Sequence, residues 1–463
     1  MNIIITIVLT ALAVLYAGLF KAKKALLPLT IVGLLVALGF VAVSWNTPAT
    51  FFGMGQIDQM MQMDNFALAF SGITILGTLF IFLLTQNYFV KDSENVAEYF
   101  TLILFTLSGI IIMVSYQNLS MLFVGLEIMS VSLYVLAGIK KLNFASNEAS
   151  LKYFLMGAFS TGFLLFGIAL IYGATGSFDL TVIQQYLVNH VKTVSPLFYV
   201  GVMLMMIGLS FKVGAAPFHF WTPDVYEGSP SLITAFMSTV VKTAGFAAFL
   251  RLFAGAFAPL HDFWMPALMV IVITTLCVGN ITALYQKNFK RMLAYSSISH
   301  AGYLLFSLIV LTPNSASNVL VYAAAYTFAS IIAFAVLILV KQRTGADSFD
   351  SFNGLAKRNP LAALSLTIAM LSLAGIPLTA GFIGKYVMFL NVMQNYQTVL
   401  VVIAILNALI GFYYYFKVIV AMYFKEGTEV QLSIPFQYKV VLVLAVIVTL
   451  LLGVYPSLIL NLI

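Results

Sequence analysis

The sequence predicts an all-α polytopic membrane protein of about fourteen transmembrane helices. Three observations carry that reading: composition, recurrent long apolar runs, and one-sided placement of the cations. Of 463 residues, 62% are hydrophobic and 8% charged, with mean hydropathy +1.05. So little polar surface cannot cover a soluble globule of this length. A bilayer core asks roughly 20 apolar residues per helical span. Such runs recur at 2–20, 26–45, 66–90, 99–116, 119–139, 150–173, 196–221, 230–253, 265–285, 291–311, 317–340, 360–392, 399–424 and 438–461. They are continuous rather than alternating, which disfavours a β-barrel.

The first run reads as a retained span, because Lys21, Lys23 and Lys24 follow its apolar core instead of preceding it as in a signal peptide. The single cysteine, Cys277, falls inside a predicted helix and is read as packing. Cations in short loops favour the cytoplasmic face. With the N-terminus outside, alternate loops collect Lys21, Lys23, Lys24, Lys91, Lys140, Lys141, Lys287, Lys290, Arg291, Lys341, Arg343, Lys357, Arg358, Lys425 and Lys439 on the cytoplasmic side. Only Lys192 and Arg251 fall opposite, so both termini are expected on the periplasmic side. The net charge of +7 is thereby a topological signal and calls for no nucleic-acid partner.

Lys152, Lys212, Lys242, Lys385, Lys417 and Glu127 fall inside predicted spans. A charge at the helix centre costs from about 2.5 kcal/mol upward. Lys417, eight positions from Lys425, is expected to snorkel to an interface, and Lys152 fits either reading. Lys212, Lys242, Lys385 and Glu127 are too central for that, which marks them as functional candidates. Two of them sit beside helix breakers. Lys212 precedes Gly214 and Pro217 in FKVGAAPFHFWTP, and Lys385 follows Gly375, Pro377, Gly381 and Gly384 in SLAGIPLTAGFIGKY. Interrupted helices in corresponding halves point to inverted repeats with an ion site near the bilayer midplane. His219, seven positions after Lys212, titrates near neutrality, and a carboxylate near a lysine makes a proton switch.

At these residues the chain resembles a known family. The run FKVGAAPFHFWTPDVYEGSP is similar to the signature of the antiporter-like subunits of proton-pumping NADH:quinone oxidoreductase (complex I). Its PDVYEG continuation looks like the N branch rather than the L or M branch. Further blocks agree: GLEIMSVSLYVLAG around Glu127, ASLKYFLMGAFSTG around Lys152, KRMLAYSSISHAGY around Tyr295, and MLSLAGIPLTAGFIGKYVMF around Lys385. The resemblance covers about residues 98–425 and implies two inverted five-helix repeats, helices 4–8 and 9–13, with helices 7 and 12 broken. It implies divisions at 1–97 (helices 1–3), 98–255 (first repeat), 256–428 (second repeat) and 429–463 (helix 14).

By the same resemblance Glu127, Lys212, Lys242 and Lys385 form a polar axis for proton transfer, with Lys152, His219 and Tyr295 as supporting groups. The implied function is proton translocation in the bacterial inner membrane, beside other membrane-arm subunits that include further antiporter-like ones. The chain offers no cysteine cluster, dinucleotide fingerprint or haem ligand pair. NADH, FMN, iron–sulfur clusters and quinone are therefore expected in partner subunits. Two competing readings are an Mrp-type cation/proton antiporter or membrane-bound hydrogenase subunit, and a scaffold whose buried charges only fix helix packing.

Overall fold

A computed structural model of the chain describes residues 2–46, 60–85, 88, 95–190, 193–395, 397–427 and 433–463. Lys91 and Lys192 of the topology argument, and most of the end of the third predicted helix, lie outside the described residues. With no water in the bilayer core, each backbone N–H and C=O must be satisfied within its own helix. The described residues accordingly form a bundle of long helices. These are α1 (Asn2–Leu19), α2 (Lys23–Val43), α3 (Asn65–Leu83), α4 (Val96–Ser115), α5 (Leu119–Ala137), α6 (Phe144–Thr175), α7 (Pro196–Val213), α8 (Ser231–Ala256), α9 (Ala258–Leu284), α10 (Phe289–Ile309) and α11 (Ser315–Thr344). The twelfth span is two pieces, α12a (Pro360–Ala374) and α12b (Ala380–Gln394), followed by α13 (Thr398–Phe424) and α14 (Phe436–Val454). Thirteen of these helices are long and apolar enough to cross a membrane singly, and the α12 pair makes the fourteenth crossing.

Both expected breaks are present. α7 ends at Val213, where Gly214 takes φ +72°, and a short helix, Trp221–Gly228, follows the break. α12a ends at Ala374, where Gly375 takes φ +88°. Both positions need the left-handed conformation that glycine adopts without a Cβ penalty. The longest described helix with no counterpart among the predicted spans is Leu180–His190, an eleven-residue surface helix too short to cross a bilayer.

Helices approach closely where small residues allow it. At Gly109 on α4 a β-carbon would meet the Gly125 carbonyl of α5 at 2.7 Å, and at Gly167 on α6 it would meet the Gly201 carbonyl of α7 at 2.8 Å. The helices enclosed on all sides are α8 and α11, whose apolar stretches are wholly buried, with α10 almost so. α1 and α2 lie at the rim.

Loops assigned to one face by the cation count meet one another. At one end Asn288 and Lys341 both hold Asp347, at 2.6 and 2.7 Å, and Gly354 N–H donates to Ala421 O. Lys417 reaches the Gln286 carbonyl and the Phe349 ring at this same end, as a snorkelling lysine should. At the other end Arg251 pairs with Asp64 at 2.7 Å, Asn118 bridges to Asp179, and Ser317 donates to the carbonyl of Ile463. Lys290, counted among the loop cations, is instead buried. It opens α10 and donates to the carbonyls of Glu227 and Ser229, because the turn ending the Trp221–Gly228 helix leaves those acceptors free.

Candidate functional site: a buried lysine axis

The densest polar chemistry lies among the enclosed helices. Lys242, 3% exposed, follows a π-helical segment of α8, Met237–Val241. Such bulges re-aim side chains at functional sites. Its ammonium donates to the Ser297 carbonyl at 2.7 Å and to the Ser297 hydroxyl on α10. One residue earlier, Ser296 shares a hydrogen bond with the Tyr415 hydroxyl of α13. That hydroxyl lies 3.0 Å from Nε2 of His300, while Nδ1 of His300 lies 2.7 Å from the Tyr322 hydroxyl of α11. Asn280 accepts from Ser299 and Tyr414, at 3.1 and 3.0 Å, and lines the same interior. At the far end the Lys385 ammonium lies 4.9 Å from the centre of the Tyr303 ring and donates to the Leu373 and Ala374 carbonyls at 3.0 and 2.8 Å. Those carbonyls end α12a, so the break itself supplies acceptors and the negative end of a helix dipole to the cation.

The first break is wired differently. Lys212, in the last turn of α7, donates across to the Ser130 hydroxyl of α5 at 3.0 Å. Glu127 lies one turn from Ser130 and is partly buried. Among the described residues Glu127 and Lys212 do not form a contact ion pair; what brings them near each other is the Ser130 hydroxyl, which Lys212 holds and which shares α5 with Glu127. A step toward Lys242 is offered by Gly245, one turn further along α8, where a β-carbon would meet the Val213 side chain at 3.1 Å. The absent Cβ lets α8 close on α7 beside Lys212.

Of the supporting residues, none joins this interior. α6 begins earlier than the predicted 150, so Lys152 falls in its third turn, half exposed, and pairs with Glu148 and Asp224 at 2.8 Å each. Arg291 binds both Asp224, at 3.1 Å, and Glu227, completing a five-membered charge cluster at the helix ends. Outside the spans, burial pushes the Asp224 carboxyl upward, but hydrogen bonds from Lys152 and Arg291 outweigh it and hold the group below its ordinary range. Tyr295 carries the Arg291 guanidinium 5.9 Å from its ring centre. His219 lies in the break itself, partly buried, without a hydrogen bond to Lys212 because the chain leaves the helical path at Gly214. The residue that sequence reasoning passed over is His300. Its signal was present in KRMLAYSSISHAGY, where Ser296, His300 and Tyr303 recur at helical spacing and share a face.

With this geometry in hand, similarity to known proteins discriminates among lysine-bearing membrane folds. Residues 116–411 match a transmembrane family described as NADH:quinone oxidoreductase/Mrp antiporter. NADH-quinone oxidoreductase subunit N of Flavobacterium psychrophilum is 42% identical over the whole of both chains. The chain belongs to the subunit N family of NADH-quinone oxidoreductases. A subunit of respiratory complex I from Thermus thermophilus, solved with bound aureothin, superposes with a TM-score of 0.85 at 32% identity, covering 99% of this chain and 98% of that one. A chain of the Mrp complex from Dietzia sp. DQ12-45-1b also superposes, with a TM-score of 0.85 over 99% and 95% of the two chains, but at 19% identity it shows the shared fold alone. The subunit N family thus accounts for the full length, including α1–α3 and α14, which lie largely outside the residues 98–425 covered by the sequence motifs.

Proposed function

We propose that this chain is a proton-translocating, antiporter-like subunit in the membrane arm of an NADH-quinone oxidoreductase. The observation that carries the reading is an enclosed set of polar groups: Lys242 bonded to Ser297, the neighbouring Ser296 joined to Tyr415, His300 and Tyr322, and Lys385 beside the Tyr303 ring. Hydroxyl and imidazole groups both accept and donate, so they pass a proton without moving net charge far into hydrocarbon. Protons enter from the cytoplasmic side, move through Lys212, Lys242 and Lys385, and leave opposite, with Glu127 gating Lys212. Both termini face the periplasm and the membrane is the bacterial inner membrane. Residues 98–255 and 256–428 act as the two inverted repeats, flanked by 1–97 and 429–463. Lys152, His219 and Tyr295 support the axis from its edges.

Moving one charge against 100 mV costs about 2.3 kcal/mol. NADH oxidation through FMN and iron–sulfur clusters, and quinone reduction, supply that energy in partner subunits, and other antiporter-like subunits adjoin this one. The 42% identity to a subunit N favours this reading over an Mrp-type antiporter or a hydrogenase subunit. Replacing Lys212 by alanine in the assembled complex tests it. Coupled quinone reduction falls while the complex still assembles; an assembled variant with wild-type turnover and pumping rules the proposal out.

A further inference from the structure

Beyond Lys385 the interior continues toward one membrane face. α10 and α12b run side by side there, and three contacts mark the way. Tyr303 lies under the Lys385 ammonium, Ser307 donates to the Met388 sulfur at 2.7 Å, and Asn391 donates to the Val310 carbonyl at 3.4 Å. Tyr303 and Ser307 follow at helical spacing on one face of α10, and Val310 is the extended residue that ends it. Asn391 then opens into a cavity of about 320 Å³ between the start of α11, the end of α12b and the last residues of the chain. Asn314, Ser317, Asn318, Gln394 and Asn461 also line it. Five of these six polar side chains are neutral amides. A water needs two to four polar partners and about 30 Å³ of liquid volume, so such a cavity suits roughly ten waters.

Between this amide-lined cavity and Lys385 the lining changes character. Met388 is buried, 1% exposed, and Phe389 packs against the Tyr303 and Phe306 rings. Thioether sulfur is a weak acceptor, so Ser307 spends its only proton on a partner that water would outcompete. Hydrophobic constrictions gate by dewetting, and methionine is the side chain that swings aside most readily.

We propose that the amide-lined cavity is the aqueous mouth of the proton path and that Met388, held by Ser307, is the dry seal separating it from Lys385. The proposal rests on the proton-translocating reading above. When Met388 withdraws, the Ser307 hydroxyl turns to a water continuous with the cavity, and a proton leaving the Lys385 site passes through Ser307 and water to the aqueous face. When it returns, the cavity is wet but disconnected, and backflow stops.

The experiment uses the assembled complex in membrane vesicles of both orientations. Asn391→Cys is expected to react with a membrane-impermeant maleimide from the side opposite NADH oxidation, while Met388→Cys stays unreactive. Met388→Ala is expected to raise passive proton leak severalfold and lower protons moved per NADH, with NADH oxidation retained. Met388→Leu, which keeps an apolar plug of similar size, is expected to stay tight and also controls for assembly. An unreactive Asn391→Cys overturns the mouth, and a Met388→Ala complex as tight as wild type overturns the seal. Lys385→Ala separates the two levels. If it pumps normally, the proton-translocating reading fails; if it does not pump while Met388→Ala remains tight, only the seal fails.

Discussion

The two broken helices hold their lysines in opposite ways. At the first, Lys212 precedes the break and reaches to another helix, where its partner is a side-chain hydroxyl one turn from a carboxylate. At the second, Lys385 follows the break and reaches back to the main-chain carbonyls of Leu373 and Ala374, with an aromatic face beneath it. A hydroxyl can rotate and trade its partner, whereas carbonyls at a helix end are fixed. The same sequence device, a glycine in the left-handed region beside a lysine, therefore yields a switchable site in one half and an anchored site in the other.

The comparison breaks most severely at the anchored site. Lys385→Gln keeps a hydrogen-bond donor for the carbonyls but removes the titrating group, and coupled proton transfer is expected to fall by at least about tenfold; vesicle acidification per NADH oxidised measures it. At the switchable site Ser130→Ala removes one interhelical hydrogen bond. Such bonds average about 0.6 kcal/mol in membranes, so a slowing of roughly threefold is expected, read as quinone-reductase turnover. Gly375→Ala sharpens the contrast. Its β-carbon would meet Lys385 Cδ at 2.9 Å and sit at φ +88°, which costs about 1–2 kcal/mol and appears as a lower thermal midpoint of the purified complex. Gly214→Ala meets Thr222 Oγ1 instead, at 2.8 Å, and is expected to destabilise without displacing a lysine.

The smallest effect belongs to the half-exposed cluster at Asp224. A carboxyl held below its unfolded value near about 3.9 contributes stability above that pH and loses it as pH falls through the lower folded value. Asp224→Asn is therefore expected to flatten the acid limb of a stability profile while changing little at neutral pH, since exposed pairs are screened.

Much of this was legible in the residues. The breaks follow from Gly214 and Gly375, whose positions only glycine fills cheaply, and the central charges stood out because hydrocarbon penalises them. Lys290 was misplaced because a position count cannot see that the turn after Glu227 folds back to receive its ammonium. Lys152 was ambiguous because the start of α6 depends on Asn143, which caps the helix by accepting from Ser146 N–H, seven positions before the predicted apolar run begins. His300 escaped notice because its partners, Tyr322 and Tyr415, arrive from helices distant in sequence. Periodicity reveals a face; it does not reveal what that face meets.

Lys242 joins the two halves, and it offers the most direct measurement. In an assembled complex carrying Lys242→Ala, protons translocated per NADH oxidised should drop below wild type, because the enclosed set loses a titrating member. An unchanged ratio with normal turnover would contradict a proton path through this interior.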